Sequence, residues 1–245
     1  MVSISGPDPS FRGDDGSADP GVAEALQAFA AARGSERAAL TALASSRLLV
    51  PVVAVLAERS GSAEKASEMA MPTLIGLDGR RAIPAFTCLD SMRSWRADAR
   101  PVPAAAARVW QAATADGCAV IIDVAGPVPL AVEGARLAAL AQGQSVPPPC
   151  TDSDVHEIVT DVLAGQLAVA GFELRPGDPE HDLVIALTLS GASGGHDVAD
   201  LATGLGNEVM ARLGGRLRRG IAIVLGGAAG PGERPPGTPR AGAPA

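Results

Sequence analysis

The sequence predicts an α+β protein: two small mixed regions joined by a proline-rich linker, with disordered tails at both ends. Three observations predict it. Helical-period and β-rich runs are interleaved without regular strand–helix–strand alternation, which argues against a doubly wound sheet. Three consecutive prolines within GQSVPPPC (143–150) make a stiff, extended spacer and the best candidate boundary. Hydrophobic residues make up 47% and charged residues 19% of the 245, so the middle of the chain has enough apolar side chains for real cores. The expected regions are 19–142 and 151–226. Residues 1–18 read as a Gly/Pro/Ser/Asp leader, and 226–245 as a Pro/Gly/Ala tail that cannot bury a core.

The elements of the first region follow from local chemistry. Asp19 caps a helix, Pro20 suits its first turn, and Val22, Leu26 and Phe29 recur on one face before Gly34. Ser35 caps a second helix through Leu40 and Leu43. RLLVPVVAVL (47–56) is a strand in which Pro51 favours an edge or a bulge. Residues 57–68 form a polar loop. MPTLIGLDGRRAIPAF (71–86) reads as a hairpin, with Asp78-Gly79 supplying the positive φ that tight turns need. Thr87 caps a short helix ending near Trp95, and Pro103 lies in the first turn of another that ends at Gly117. Strands at 118–124 and 128–132 and a helix over 133–141 complete this part.

The second region predicts αββαβ: a helix over 153–170, the strands FELRP and LVIALTLS, a helix over 197–213, and the strand GIAIVLG.

Composition excludes several functions. A net charge of −7 and a pI near 5.0 make a nucleic-acid or anionic-membrane surface improbable. Aromatics are 2%, with no tyrosine, so stacking platforms for single strands are missing. No run approaches the ~20 apolar residues of a membrane span. The N-terminus has neither the basic start nor the apolar core of a signal peptide. Cys88, Cys118 and Cys150 are odd in number and far apart, which does not fit a disulfide framework. The expected setting is cytoplasmic.

Motif-level chemistry is sparse. Cys88-Leu-Asp-Ser-Met-Arg93 invites a thiolate reading, because a cysteine early in a helix with an arginine one turn on is placed for a lowered pKa. A phosphatase-type cradle, however, needs five intervening residues and glycines, whereas this segment has four and none. His156, His181 and His196 lack metal-ligand spacing, and the turn Asp178–Asp182 reads as solvated. SGASGGHDVAD (190–200) lacks the lysine of a phosphate loop and does not match GxGxxG. Arg212, Arg216, Arg218 and Arg219 read as cations at a helix C-terminus. No cofactor or metal is expected, and no catalytic residue is assigned.

The stretch PTLIGLDGRRA, IPAFTCLDSMRSW (83–95) and VIIDVAGPVPLAVEGARLAAL (120–140) resembles the N-terminal domain of the SseB family. The family takes its name from enhanced serine sensitivity, a genetic label rather than an activity. Asp78, Gly79, Pro84, Phe86, Thr87 and Trp95 match the pattern, while Cys88 replaces its serine and Val124 its proline. The resemblance covers roughly 22–141, with a looser match of the second region to the family's C-terminal domain. It supplies no established catalytic residue. With no nucleophile, base and oxyanion donor assembled near this motif, the expected function is a non-enzymatic module binding an unknown protein or small-molecule partner. Its expected surface is the 78–95 hairpin-helix with the 123–127 turn: Asp78, Arg80, Thr87, Asp90, Arg93, Trp95 and Asp123. The alternative is a small-molecule enzyme or sensor built on Cys88, Asp90 and Arg93.

Overall fold

The computed structural model describes residues 9–56, 67–190, 195–213 and 215–226, and within them the protein is α+β. Most of both expected tails, 1–8 and 227–245, therefore lies outside the described residues, as do positions 57–66 of the expected polar loop.

The leader is tied down before residue 18. The Arg47 guanidinium pairs with Asp14 at 2.5 Å and donates to the Ser17 carbonyl. The Gly16 carbonyl accepts from Leu89 N–H at 2.8 Å, so this arm caps a helix some seventy residues on. Asp19 caps α1 (Pro20–Ala30) by accepting from Gly21 and Val22 N–H. Ser35 caps α2 (Glu36–Ala44). Val22, Leu26, Phe29, Leu40 and Leu43 are all buried, so both helices present the apolar stripe their spacing dictates.

Strand β1 (Arg47–Leu56) lies between β2 (Ser67–Ala70) and a later strand, β5 (Arg100–Ala105). Ser67 and Glu68, expected in the loop, thus belong to β2. Strands β3 (Leu74–Ile75) and β4 (Arg81–Ala85) form the hairpin around Gly79, whose φ is 80°. α3 (Leu89–Trp95) follows, then β5 (Arg100–Ala105) and α4 (Ala106–Ala115).

Two expectations about proline are corrected here. Pro103 lies in β5 rather than in a helical turn, and Pro51 sits in a central strand. Hydrogen bonding explains both. Leu49 exchanges N–H···O bonds with Phe86, on the side of β1 away from β5. Leu49 and Pro103, and then Pro51 and Pro101, are therefore non-hydrogen-bonded pairs across β1–β5. None of the three prolines removes a rung of that ladder.

The strands β6 (Ala119–Ile122) and β7 (Leu130–Val132) complete a four-stranded sheet of order β3-β4-β6-β7, with β4 and β6 parallel. α5 (Gly134–Ala141) covers it together with α4, and Trp110 of α4 is entirely buried in the first core. The proline run does not stand free: Val146 is buried in the first core and Pro149–Thr151 make a 3₁₀ turn.

Next come α6 (Ser153–Leu163), β8 (Val169–Pro176), β9 (Leu183–Leu189), α7 (Gly195–Arg212) and β10 (Ile221–Gly226), in the expected αββαβ order. The sheet order is β10-β9-β8, parallel between β10 and β9. α6 ends at Leu163 rather than near 170, because Gly165 takes a φ of 87° and the chain turns into β8. Val155, Val159, Ile185, Leu187, Leu205 and Val209 form the second core.

The two cores meet through α5 and α6. Glu133, the cap residue of α5, makes no side-chain capping bond, and Asp154 of α6 takes over by accepting from Ala135 N–H at 2.9 Å. Gly134, with φ 57°, makes this approach feasible, since a Cβ there would collide with the Asp154 carboxylate.

Candidate functional site

The residues singled out in the sequence do not form one surface. β4 contributes five residues at roughly 3.3 Å each, so about 17 Å separates the hairpin turn from the start of α3.

At the turn, Arg80 Nε lies 2.6 Å from Asp78 Oδ2, and its Nη1 lies 2.6 Å from Glu133 Oε2. The Arg80 backbone N–H and guanidinium together hold the Asp78 carboxyl below its ordinary pKa. These groups are exposed, so the pairs contribute little to stability.

At the other end of β4, the buried Thr87, Ser91 and Asp123 form a polar cluster with the half-buried Cys88. Thr87 N–H donates to Asp123 Oδ1 at 2.9 Å, and Thr87 Oγ1 donates to Oδ2 at 2.6 Å. The Ser91 hydroxyl also serves Asp123, and the Cys88 thiol lies 3.4 Å from Ser91 Oγ. Burial pushes the Asp123 carboxyl above its usual range, against the opposing pull of those hydrogen bonds. Asp123 adopts a φ of 47°, and its carbonyl accepts from Gly126 N–H at 2.7 Å. A Cβ on Gly126 would fall 2.8 Å from Asp123 Cβ and 3.0 Å from Ser91 Oγ, so only glycine closes this turn onto α3.

Here the cap of α3 is corrected. Cys88, not Thr87, occupies the N-cap and accepts from Ser91 N–H at 3.5 Å, because Asp123 engages the Thr87 hydroxyl. Cys88→Ser places a stronger cap where a weak sulfur acceptor stands. Thermal unfolding is expected to show no loss and a gain of up to about 1 kcal/mol. A loss larger than that would mean the sulfur has a packing role.

Asp90 and Arg93 are exposed on the outer side of α3 and make no ion pair with each other among the described residues. Trp95 is half-buried, its ring centroid 5.5 Å from that of Phe86, so it holds α3 against β1 and β4. Cys118 is buried in the first core, and all three cysteines are free. His181 pairs with Asp178 in an exposed turn, and His156 lies 5.1 Å from the Phe172 ring. Residues 191–194 of the glycine-rich loop, and the His196 side chain, fall outside the described residues. No group of three His, Cys, Asp or Glu placed to hold a metal ion occurs among the described residues.

A second place was missed by sequence reasoning. Between the two cores lies a cleft of about 570 Å³ whose walls include Phe29, Arg80, Ile158 and Arg218. At its base, the Glu36 carboxylate bonds Arg136 Nη1 through one oxygen and lies 3.5 Å from Arg216 Nε through the other. Arg216 also holds the buried Asp152. Burial pushes Glu36 up and Arg136 down from their ordinary pKa values, while their mutual attraction opposes both shifts. The arginines expected at a helix end are thus distributed: Arg216 joins the cores, Arg219 pairs with Asp182 at 2.7 Å, and Arg218 stacks 5.0 Å above the Phe29 ring.

Residues 22–139 match the family model described as the SseB protein N-terminal domain. The first core is accordingly a domain of SseB type. The chain therefore carries an SseB-family N-terminal domain. No curated protein and no solved structure matches the chain. No helix among the described residues is long and apolar enough to cross a membrane.

Proposed function

We propose that this SseB-family chain is a non-enzymatic cytoplasmic binding module in which 19–142 and 151–226 act as one receptor for a small molecule. The supporting observation is the cleft itself. Its volume of about 570 Å³ lies in the range of small-ligand sites, and both cores contribute charged side chains to it. The alternative, an enzyme or sensor using Cys88, Asp90 and Arg93, is weakened by geometry. Cys88 directs its sulfur to Ser91, and the two charged residues stand exposed without an ion pair between them.

Native mass spectrometry of the protein captured from its own cell extract tests the proposal. The expected result is a bound small molecule with the wild type and none with Ile158→Trp, which fills one wall. Equal retention by that variant, or no bound molecule at all, would overturn it. A protein partner is the second reading, favoured by Ile75 and Leu77 at the hairpin, which are 73% and 112% exposed. Capture that depends on Leu77, with Leu77→Asp as the losing variant, would select it.

A further inference from the structure

The charged groups of the cleft separate into those already paired and those still uncommitted. Arg80 is held by Asp78 and Glu133, and Arg212 by Glu208 at 2.7 Å. Glu36 is shared by Arg136 and Arg216, and Arg216 also takes Asp152. Asp154 accepts from Ala135 N–H.

One cation without a counter-ion and one buried donor without an acceptor are left over. Arg218 has the Phe29 ring beneath it and no carboxylate partner among the described residues. Arg136 lines the cleft with its side chain only 3% exposed. Its Nη1 serves both Glu36 and the Ala131 carbonyl, yet its Nε has no acceptor. A buried donor without a partner is costly, so native structures rarely keep one without a reason.

Negative charge is left over on α6. Glu157 and Asp161 are exposed, line the same cleft, and have no cation partner among the described residues. They stand four residues apart, a spacing at which like charges repel along a helix.

Resting on the reading of this cleft as a ligand site, we propose that its ligand is a small zwitterion. Its carboxylate or phosphate faces Arg218 and Arg136, and its ammonium faces Glu157 and Asp161. A plain anion gains at the arginines and is repelled by α6, and a plain cation meets the reverse. A molecule carrying both charges satisfies both walls, and the cleft has room for a metabolite rather than a folded partner. Arginine supplies the two-donor geometry that carboxylates and phosphates match.

Isothermal titration of the full chain with the protein amino acids and with glycylglycine tests this, beside N-acetylated and methyl-esterified forms of each. At least one zwitterion is expected to bind, with roughly tenfold or greater weakening when either charge is blocked. Arg218→Gln and the double variant Glu157→Gln/Asp161→Asn alter exposed side chains and are each expected to weaken it similarly. Binding of an N-acetylated form as tightly as its parent would overturn the proposal in favour of a plain anion site. If no zwitterion binds although the native protein retains another molecule that Ile158→Trp loses, the zwitterion proposal fails and the cleft remains the ligand site. If neither occurs, both fail.

Discussion

Replacing Glu36 by alanine is expected to cost about 3–5 kcal/mol in denaturant unfolding, near the upper limit for one substitution. The reason lies in what stays behind. Arg136 is 2% exposed, and without Glu36 its guanidinium keeps only the Ala131 carbonyl. Arg216 would retain Asp152 but face an uncompensated cation. The informative companion is the double variant Glu36→Leu/Arg136→Met. Removing both charges at once replaces the buried pair by apolar volume, which is often neutral or even stabilising. Recovery of most of the lost stability in the double variant would locate the effect in the orphaned charge. A loss below about 1 kcal/mol in Glu36→Ala would instead mean that solvent reaches the site and screens it.

Asp123→Ala is expected to lower stability by about 2–4 kcal/mol, because it strips two Thr87 donors and the Ser91 hydroxyl of their acceptor inside a closed turn. Asn tolerates the left-handed backbone and keeps one acceptor oxygen, so Asp123→Asn should lose less than half as much. The pH dependence has a definite sign. Burial raises the folded carboxyl above 3.8, so the folded state binds the proton more tightly than the unfolded chain. This group's contribution is fully present below pH 3.8 and is lost as pH rises through the higher folded value. The wild-type advantage over Asp123→Asn should therefore shrink across that window and level off above it. Glu36 adds a similar window starting at 4.5, present in both proteins and so cancelling in the difference. A difference that grows with pH would contradict the assigned burial effect.

Elements governed by near neighbours were legible in the sequence. Asp19 and Ser35 cap their helices as their types and positions require, and Asp78-Gly79 makes its turn. β5 was not legible, because Pro103, taken singly, reads as a residue in the first turn of a helix. The spacing of two residues between Pro101 and Pro103, which sends both nitrogens to one side of an extended chain, carried the missing signal. The candidate site divides in the same way. Thr87, Trp95 and Asp123 were singled out through the family-like runs at 83–95 and 120–140, whereas Ser91 and Gly126 acquire their places only when the 123–126 turn folds onto α3. Glu36, Arg136 and Arg216 are 100 and 180 residues apart along the chain, so no local spacing brings them together. Only the packing of two cores does.

The proline pair of β5 also has a consequence for how the molecule meets others. Within Arg100–Ala105, positions 101, 103 and 105 turn their nitrogens away from β1, and at the first two there is no hydrogen to offer. An incoming strand aligning with that border would find one donor where a ladder needs three. Extension of the sheet by another chain is thereby discouraged at this margin, both for recognition by strand addition and for uncontrolled association.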